Sequence, residues 1–253
     1  MAFWVAAIAI LVGAGMLRGA APPAYSALLW GTLSTIGVLG LTIAVLRREQ
    51  RGVDSAGLRF SSRSLLLFGT GAVLGLALYA LQFAIIGSVA GPLRLVPADT
   101  PAGAIALAVT TYVALAAMEE VAFRGYPLRR LEERFGGGPA IAIGAFAFGV
   151  LHLIYGWPPW MALVGAASGG VLFGAAALAT RGLAVPIGLH AAWNVSGWAV
   201  GEKDGMGVWR IVSSGDPEYV TRVGNWTYLL MMAIGTAAFA WFARYRRRRS
   251  PSP

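Results

Sequence analysis

Long apolar runs separated by short polar stretches dominate the chain. Each run is close to the ~20 residues that a helix needs to cross a hydrocarbon core of ~30 Å. Eight spans can be drawn, at about 2–17, 26–46, 64–89, 104–128, 138–155, 160–180, 183–200 and 226–243. The pattern predicts an all-α fold, a polytopic transmembrane helical bundle of about eight spans, with residues 1–253 as a single membrane domain. The first run follows Met1 with no basic segment before it, so it reads as a retained helix rather than a cleaved signal peptide. Three glycine pairs at helical spacing, Gly71/Gly75, Gly165/Gly169 and Gly170/Gly174, mark faces that allow close helix packing.

Composition supports the same class. Hydrophobic residues make up 57% of the chain and charged residues 12%, about half the ~25% of a soluble domain. So few charges cannot cover a water-facing surface. The net charge of +9 would suit nucleic acid, but the arginines sit at the ends of apolar runs. No basic stretch is interleaved with aromatics for base stacking, so no nucleic-acid partner is expected.

If the N-terminus is cytoplasmic, that side holds the arginines of 47–63, 124–134, 181 and 244–249, 15 basic residues in all. The other side holds five: Arg18, Arg94, Lys203, Arg210 and Arg222. The bias places both termini in the cytoplasm, with Trp157, Trp160 and Trp209 near the outer interface. The longest outer segment is Gly201–Asn225, and Arg246–Pro253 reads as a disordered stop signal. Cysteine is absent, which excludes a disulfide framework, a thiolate nucleophile and a Cys-ligated metal.

Ionisable groups are costly at mid-bilayer, about 2.5–3.5 kcal/mol each on insertion scales, so those inside the spans carry information. The fourth span contains Glu119-Glu120-Val-Ala-Phe-Arg124. Glu120 and Arg124 are i,i+4 and can pair on one face. Glu119 is rotated about 100° away and is left to face another helix. The two histidines of the chain also fall in spans, in Phe148-Gly-Val-Leu-His152 and His190-Ala-Ala-Trp-Asn194. The second spacing puts an imidazole and a carboxamide on one helix face. Two histidines, an asparagine and a doubled glutamate on three helices point to one shared site.

Glu-Glu-x-x-x-Arg, Phe-x-x-x-His and His-x-x-x-Asn, in this order across eight spans, resemble the CPBP family. That is the CAAX-protease and bacteriocin-processing group, also called Abi, which includes the type II CAAX prenyl endopeptidases. The resemblance covers 101–194. It implies an intramembrane endopeptidase in which Glu119 and His152 position and deprotonate a water, while His190 and Asn194 stabilise the oxyanion. Glu120 and Arg124 would then orient Glu119. On the residues alone, glutamate suits the base, and a neutral imidazole N–H and an amide are donors that cost less to bury than a charge.

No cofactor is expected. Zinc stays open, since two histidines and a glutamate could ligate it, although no His-Glu-x-x-His helix is present. The expected partners are the lipid bilayer and a membrane-embedded or membrane-associated peptide or protein. A prenylated CAAX protein, a bacteriocin-type peptide or a membrane anchor would each fit. The expected location is a bacterial cytoplasmic membrane. A proton-coupled carrier and a non-proteolytic scaffold are the competing readings. Helical rise favours extending the fourth helix to Arg129 or Arg130, which would put Glu119 about 15 Å deep, with Pro127 as a kink.

Overall fold

The computed structural model describes residues 2–203 and 205–249. It is an all-α bundle in which the described residues form nine α-helices: α1 (Ala2–Met16), α2 (Pro23–Arg48), α3 (Ser62–Val89), α4 (Ala102–Arg124), α5 (Tyr126–Phe135), α6 (Gly137–Ile154), α7 (Ala167–Thr180), α8 (Ala184–Ala199) and α9 (Pro217–Arg249). One two-stranded ribbon, β1 (Leu93–Pro97) with β2 (Trp209–Ser213), completes it. Among the described residues, seven helical segments are long and apolar enough to cross a membrane.

The eighth expected span is α8, whose 16 residues rise only about 24 Å. It is nonetheless well enclosed, with no exposed residue along its length, and packs between α3 and α4. Glycine makes that packing possible. A Cβ on Gly75 of α3 would lie 2.5 Å from the Leu189 carbonyl oxygen, and one on Gly71 would strike that of Val185. Gly188 of α8 meets the Phe68 carbonyl in the same way. The two backbones touch with no side chain between them. Gly170 and Gly174 serve α7 against α6, at Ala145 and Ile141. Gly165 meets nothing within 4 Å, and it lies instead in a π-helical turn, Met161–Ala166, that leads into α7.

Three features differ from the sequence expectations. The fourth helix does not continue to Arg129 or Arg130. It ends at Arg124, Gly125 breaks the backbone (φ −72°, ψ −124°), and α5 starts afresh. Pro127 explains the break, because its ring and missing N–H disfavour a continuous helix but suit a first turn. The amphipathic α5 then carries an ion-pair lattice: Arg51 to Glu133 at 2.7 Å, Arg130 to Glu133 at 2.6 Å and Arg181 to Glu132 at 2.7 Å.

At the opposite end, the outer loops pair antiparallel in the register Leu93↔Ser213 to Pro97↔Trp209, where only loops were expected. Finally, α9 begins at Pro217 rather than 226. Asp216 Oδ1 accepts the Tyr219 N–H at 2.8 Å and Pro217 takes the first position, a favourable N-terminus. The helix runs through Arg249, so the basic stretch expected to be disordered is helical to that point, and 250–253 lie outside the described residues.

Candidate active site

The site is built where α4, α6, α7 and α8 meet. Glu120 and Arg124 pair as their spacing requires, Nη1 to Oε1 at 3.1 Å, with both side chains sealed from solvent. Phe148 stacks on the guanidinium at 4.2 Å, with Phe173 at 5.5 Å and Phe123 at 5.8 Å. Aromatic faces offset part of the cost of burying a cation. Gly170 provides the room, since a Cβ there would lie 3.3 Å from Arg124 Nη2.

His190 joins α8 to this pair. Its Nδ1 lies 2.9 Å from Glu120 Oε1. A carboxylate can only accept, so Nδ1 carries the hydrogen and donates. The other nitrogen, Nε2, lies 3.6 Å from Glu119 Oε2. Phe173 stacks on the ring at 4.3 Å, nearly parallel. His190 is thus clamped between the two adjacent glutamates of α4. This changes its expected role as a neutral donor. With Nδ1–H given to Glu120, Nε2 can donate only as the imidazolium.

His152, on α6, points Nδ1 at the Phe148 carbonyl oxygen at 2.9 Å. Carbonyls accept, so Nδ1 donates and Nε2 of the neutral ring is left as an acceptor. The ring is packed between Phe148 at 4.5 Å and Trp157 at 4.6 Å. Among the described residues, no hydrogen bond or ion pair joins His152 to Glu119. The two histidines are linked through Phe148, which also lies edge-on to His190 at 6.4 Å. Asn194, one turn beyond His190 on α8, accepts a hydrogen bond at Oδ1 from Lys203 Nζ at 3.0 Å. The structure therefore joins Glu119, Glu120, Arg124 and His190 directly, and sets His152 and Asn194 on the flanks.

Sequence reasoning missed three neighbours. Phe173 carried no signal beyond being apolar on a helix. Lys203 was read only as an outer-loop charge. Tyr155, in the turn after α6, has a buried hydroxyl with no hydrogen bond among the described residues. It lies close enough to Glu119 for that charge to act on it.

A zinc site needs three or four converging ligands. Among the described residues, no group of three or more His, Cys, Asp or Glu converges in that way, and His190 already gives Nδ1 to Glu120. The donor set does not fit zinc.

A carboxylate–histidine cluster enclosed by apolar helices defines a candidate hydrolytic centre inside a membrane protein. Residues 101–196 match the family model described as Type II CAAX prenyl endopeptidase Rce1-like. The match supports assigning the chain to the CPBP/CAAX protease family, bears out the motif resemblance and implies a protease. All six candidate residues fall inside the matched segment. No curated protein and no solved structure matches the chain.

Proposed function

We propose that the protein is an intramembrane endopeptidase that hydrolyses a peptide bond in a membrane-associated protein or peptide. The observation that carries this reading is the clamp on His190, held by Glu120 at 2.9 Å and facing Glu119 at 3.6 Å. Arg124 neutralises Glu120, which leaves Glu119 as the carboxylate with no arginine partner, 3.6 Å from the imidazole.

In the proposed reaction a water sits between Glu119 and His152 Nε2. Glu119 takes its proton as the oxygen attacks the scissile carbonyl. The carbonyl becomes a tetrahedral oxyanion, stabilised by Asn194 Nδ2–H and by His190 Nε2–H in the imidazolium form, whose charge Glu119 and Glu120 flank. Collapse breaks the C–N bond, and the proton held by Glu119 passes to the leaving amine. Donors aimed at charge that develops only in the transition state raise turnover rather than ground-state binding. Tyr155, near Glu119, is a further donor within the enclosure.

The substrate we favour is a peptide or protein undergoing maturation at a bacterial cytoplasmic membrane, with both chain termini in the cytoplasm. A membrane-embedded or membrane-associated substrate suits a site walled by apolar helices. The test is comparative mass spectrometry of membrane peptides from cells carrying wild type or Glu119→Gln. New C-termini that appear with wild type and vanish in the variant support the assignment. Identical peptide sets from the two strains would count against it.

A further inference from the structure

Of the 20 basic residues in the chain, only Lys203 is a lysine. It lies outside the matched segment, in the turn after α8, yet its ammonium reaches the site. Nζ donates to Asn194 Oδ1 at 3.0 Å and lies 5.4 Å from the centroid of the Tyr112 ring. Tyr112 is seven residues before Glu119 on α4, two turns away on the same face.

The chain delivers this lysine by a defined turn. The Gly201 N–H donates to the Trp198 carbonyl and the Glu202 N–H to that of Gly197, both at 2.9 Å. Gly201 sits at φ +83°. These two bonds and the positive φ make a Schellman cap, which turns the backbone back along α8. The Lys203 stem then crosses Gly197, where an added Cβ would lie 3.5 Å from Lys203 Cε and 3.2 Å from Glu202 Oε2. The far side of the turn is pinned by Thr100 Oγ1 on the Gly207 carbonyl and by the Ala98 N–H on that of Val208 at 2.9 Å.

The contact settles which way the Asn194 amide faces. An ammonium has three donors and no acceptor, so the atom that meets it is the carbonyl oxygen, and both Nδ2 hydrogens remain to donate elsewhere. An asparagine amide has a broad, roughly two-fold terminal torsion. In the flipped state it would present an oxygen lone pair to a developing oxyanion and repel it.

We propose that Lys203 is a positioning residue that holds the Asn194 carboxamide with its NH₂ group toward the reacting carbonyl. This rests on the reading of Asn194 as an oxyanion donor. Lys203 touches no reacting atom and acts only through the amide.

The test combines turnover with a readout independent of activity. The probe is an internally quenched peptide ending in a prenylated CAAX sequence, measured on wild type, Lys203→Met, Lys203→Arg, Asn194→Ala and Asn194→Ala/Lys203→Met. Methionine keeps an unbranched stem over Gly197 and removes the donor. The expected result is a roughly tenfold fall in kcat for Lys203→Met, part of the ~10²–10³-fold lost with the donor itself. KM should change little, and Lys203→Arg should recover most of the rate. The double variant should be no slower than Asn194→Ala, because both changes act on one group.

The chain has two asparagines, Asn194 and Asn225, so asparagine-selective side-chain ¹⁵N labelling gives two carboxamide groups. Lys203→Met should move the signals of Asn194 and leave those of Asn225. Wild-type kcat in Lys203→Met, independent losses in the double variant, or an unmoved Asn194 amide would each overturn the proposal. Wild-type turnover in Asn194→Ala would instead bring down the oxyanion reading, and the positioning role with it.

Discussion

Replacing Arg124 by alanine removes the cation of a pair that has no access to solvent. Glu120 is fully buried and Arg124 is 2% exposed, so water cannot take over the lost partner. The carboxylate would keep His190 Nδ1–H as its remaining contact, and three aromatic faces would lose the cation they now surround. Breaking one side of such a pair costs roughly 3–5 kcal/mol, a large part of the ~5–15 kcal/mol that holds a typical domain folded. Arg124→Ala should therefore lower membrane accumulation and the Tm of the purified protein as well as turnover. Arg124→Lys should fall between, since an ammonium keeps the charge but loses the planar fork and the stacking. Neutralising both partners, as Glu120→Gln/Arg124→Met, should recover much of the Tm because no unpaired buried charge remains. It should not recover turnover, because His190 would lose the carboxylate that orients it. Thermal unfolding in detergent beside peptide cleavage separates these effects. A normal Tm and normal accumulation in Arg124→Ala would refute the buried-pair argument and place Arg124 on the substrate instead.

Three further outcomes follow from the geometry. Asn194→Ala should cut kcat by ~10²–10³-fold with little change in KM, read with the same quenched peptide, and a chelator should leave the wild-type rate unaltered. Gly75→Ala should lower the Tm by an amount equivalent to roughly 1–3 kcal/mol of overpacking, because its Cβ would meet backbone of α8 that cannot rotate away. Glu202 is exposed as a residue, but burial of its carboxylate beside Tyr79 pushes its pKa above the ordinary 4.5. The folded protein then holds that proton more tightly than the unfolded chain. The group favours the fold at acid pH and loses that contribution as the pH rises through its folded value. Glu202→Gln should flatten this part of the Tm–pH curve, and an unchanged curve would show that the carboxylate is solvated.

What could be read in advance depended on how far apart in sequence the interacting groups lie. The Glu120–Arg124 pair was legible because both residues sit on one helix, where the i,i+4 rule fixes their neighbourhood. The hydrogen bond from His190 to Glu120 spans 70 positions, and no spacing rule says which glutamate a histidine on another helix will meet. That is why His190 was expected as a free neutral donor. The Lys203–Asn194 contact spans nine positions but depends on a turn at Gly201 that composition does not encode. The break after Arg124 was signalled by Gly125 and Pro127, and was outweighed by an argument from helical rise. The start of α9 was signalled by Asp216-Pro217-Glu218, but its first turns are too polar to read as a membrane span. The β1–β2 ribbon pairs five-residue strands more than a hundred positions apart, beyond what local patterning reaches.

The central claim is that Glu119 activates a water to cleave a peptide bond within the bundle. The direct measurement uses purified wild type and Glu119→Gln in lipid vesicles prepared in H₂¹⁸O. Internally quenched CAAX peptides, prenylated and unprenylated, serve as substrates, and products are read by mass spectrometry. The account predicts a shortened product from wild type with one ¹⁸O in its new carboxylate. It predicts no product from Glu119→Gln, whose Tm should stay close to that of wild type. Cleavage by Glu119→Gln at near the wild-type rate, with ¹⁸O in the product, would contradict the assignment of the base.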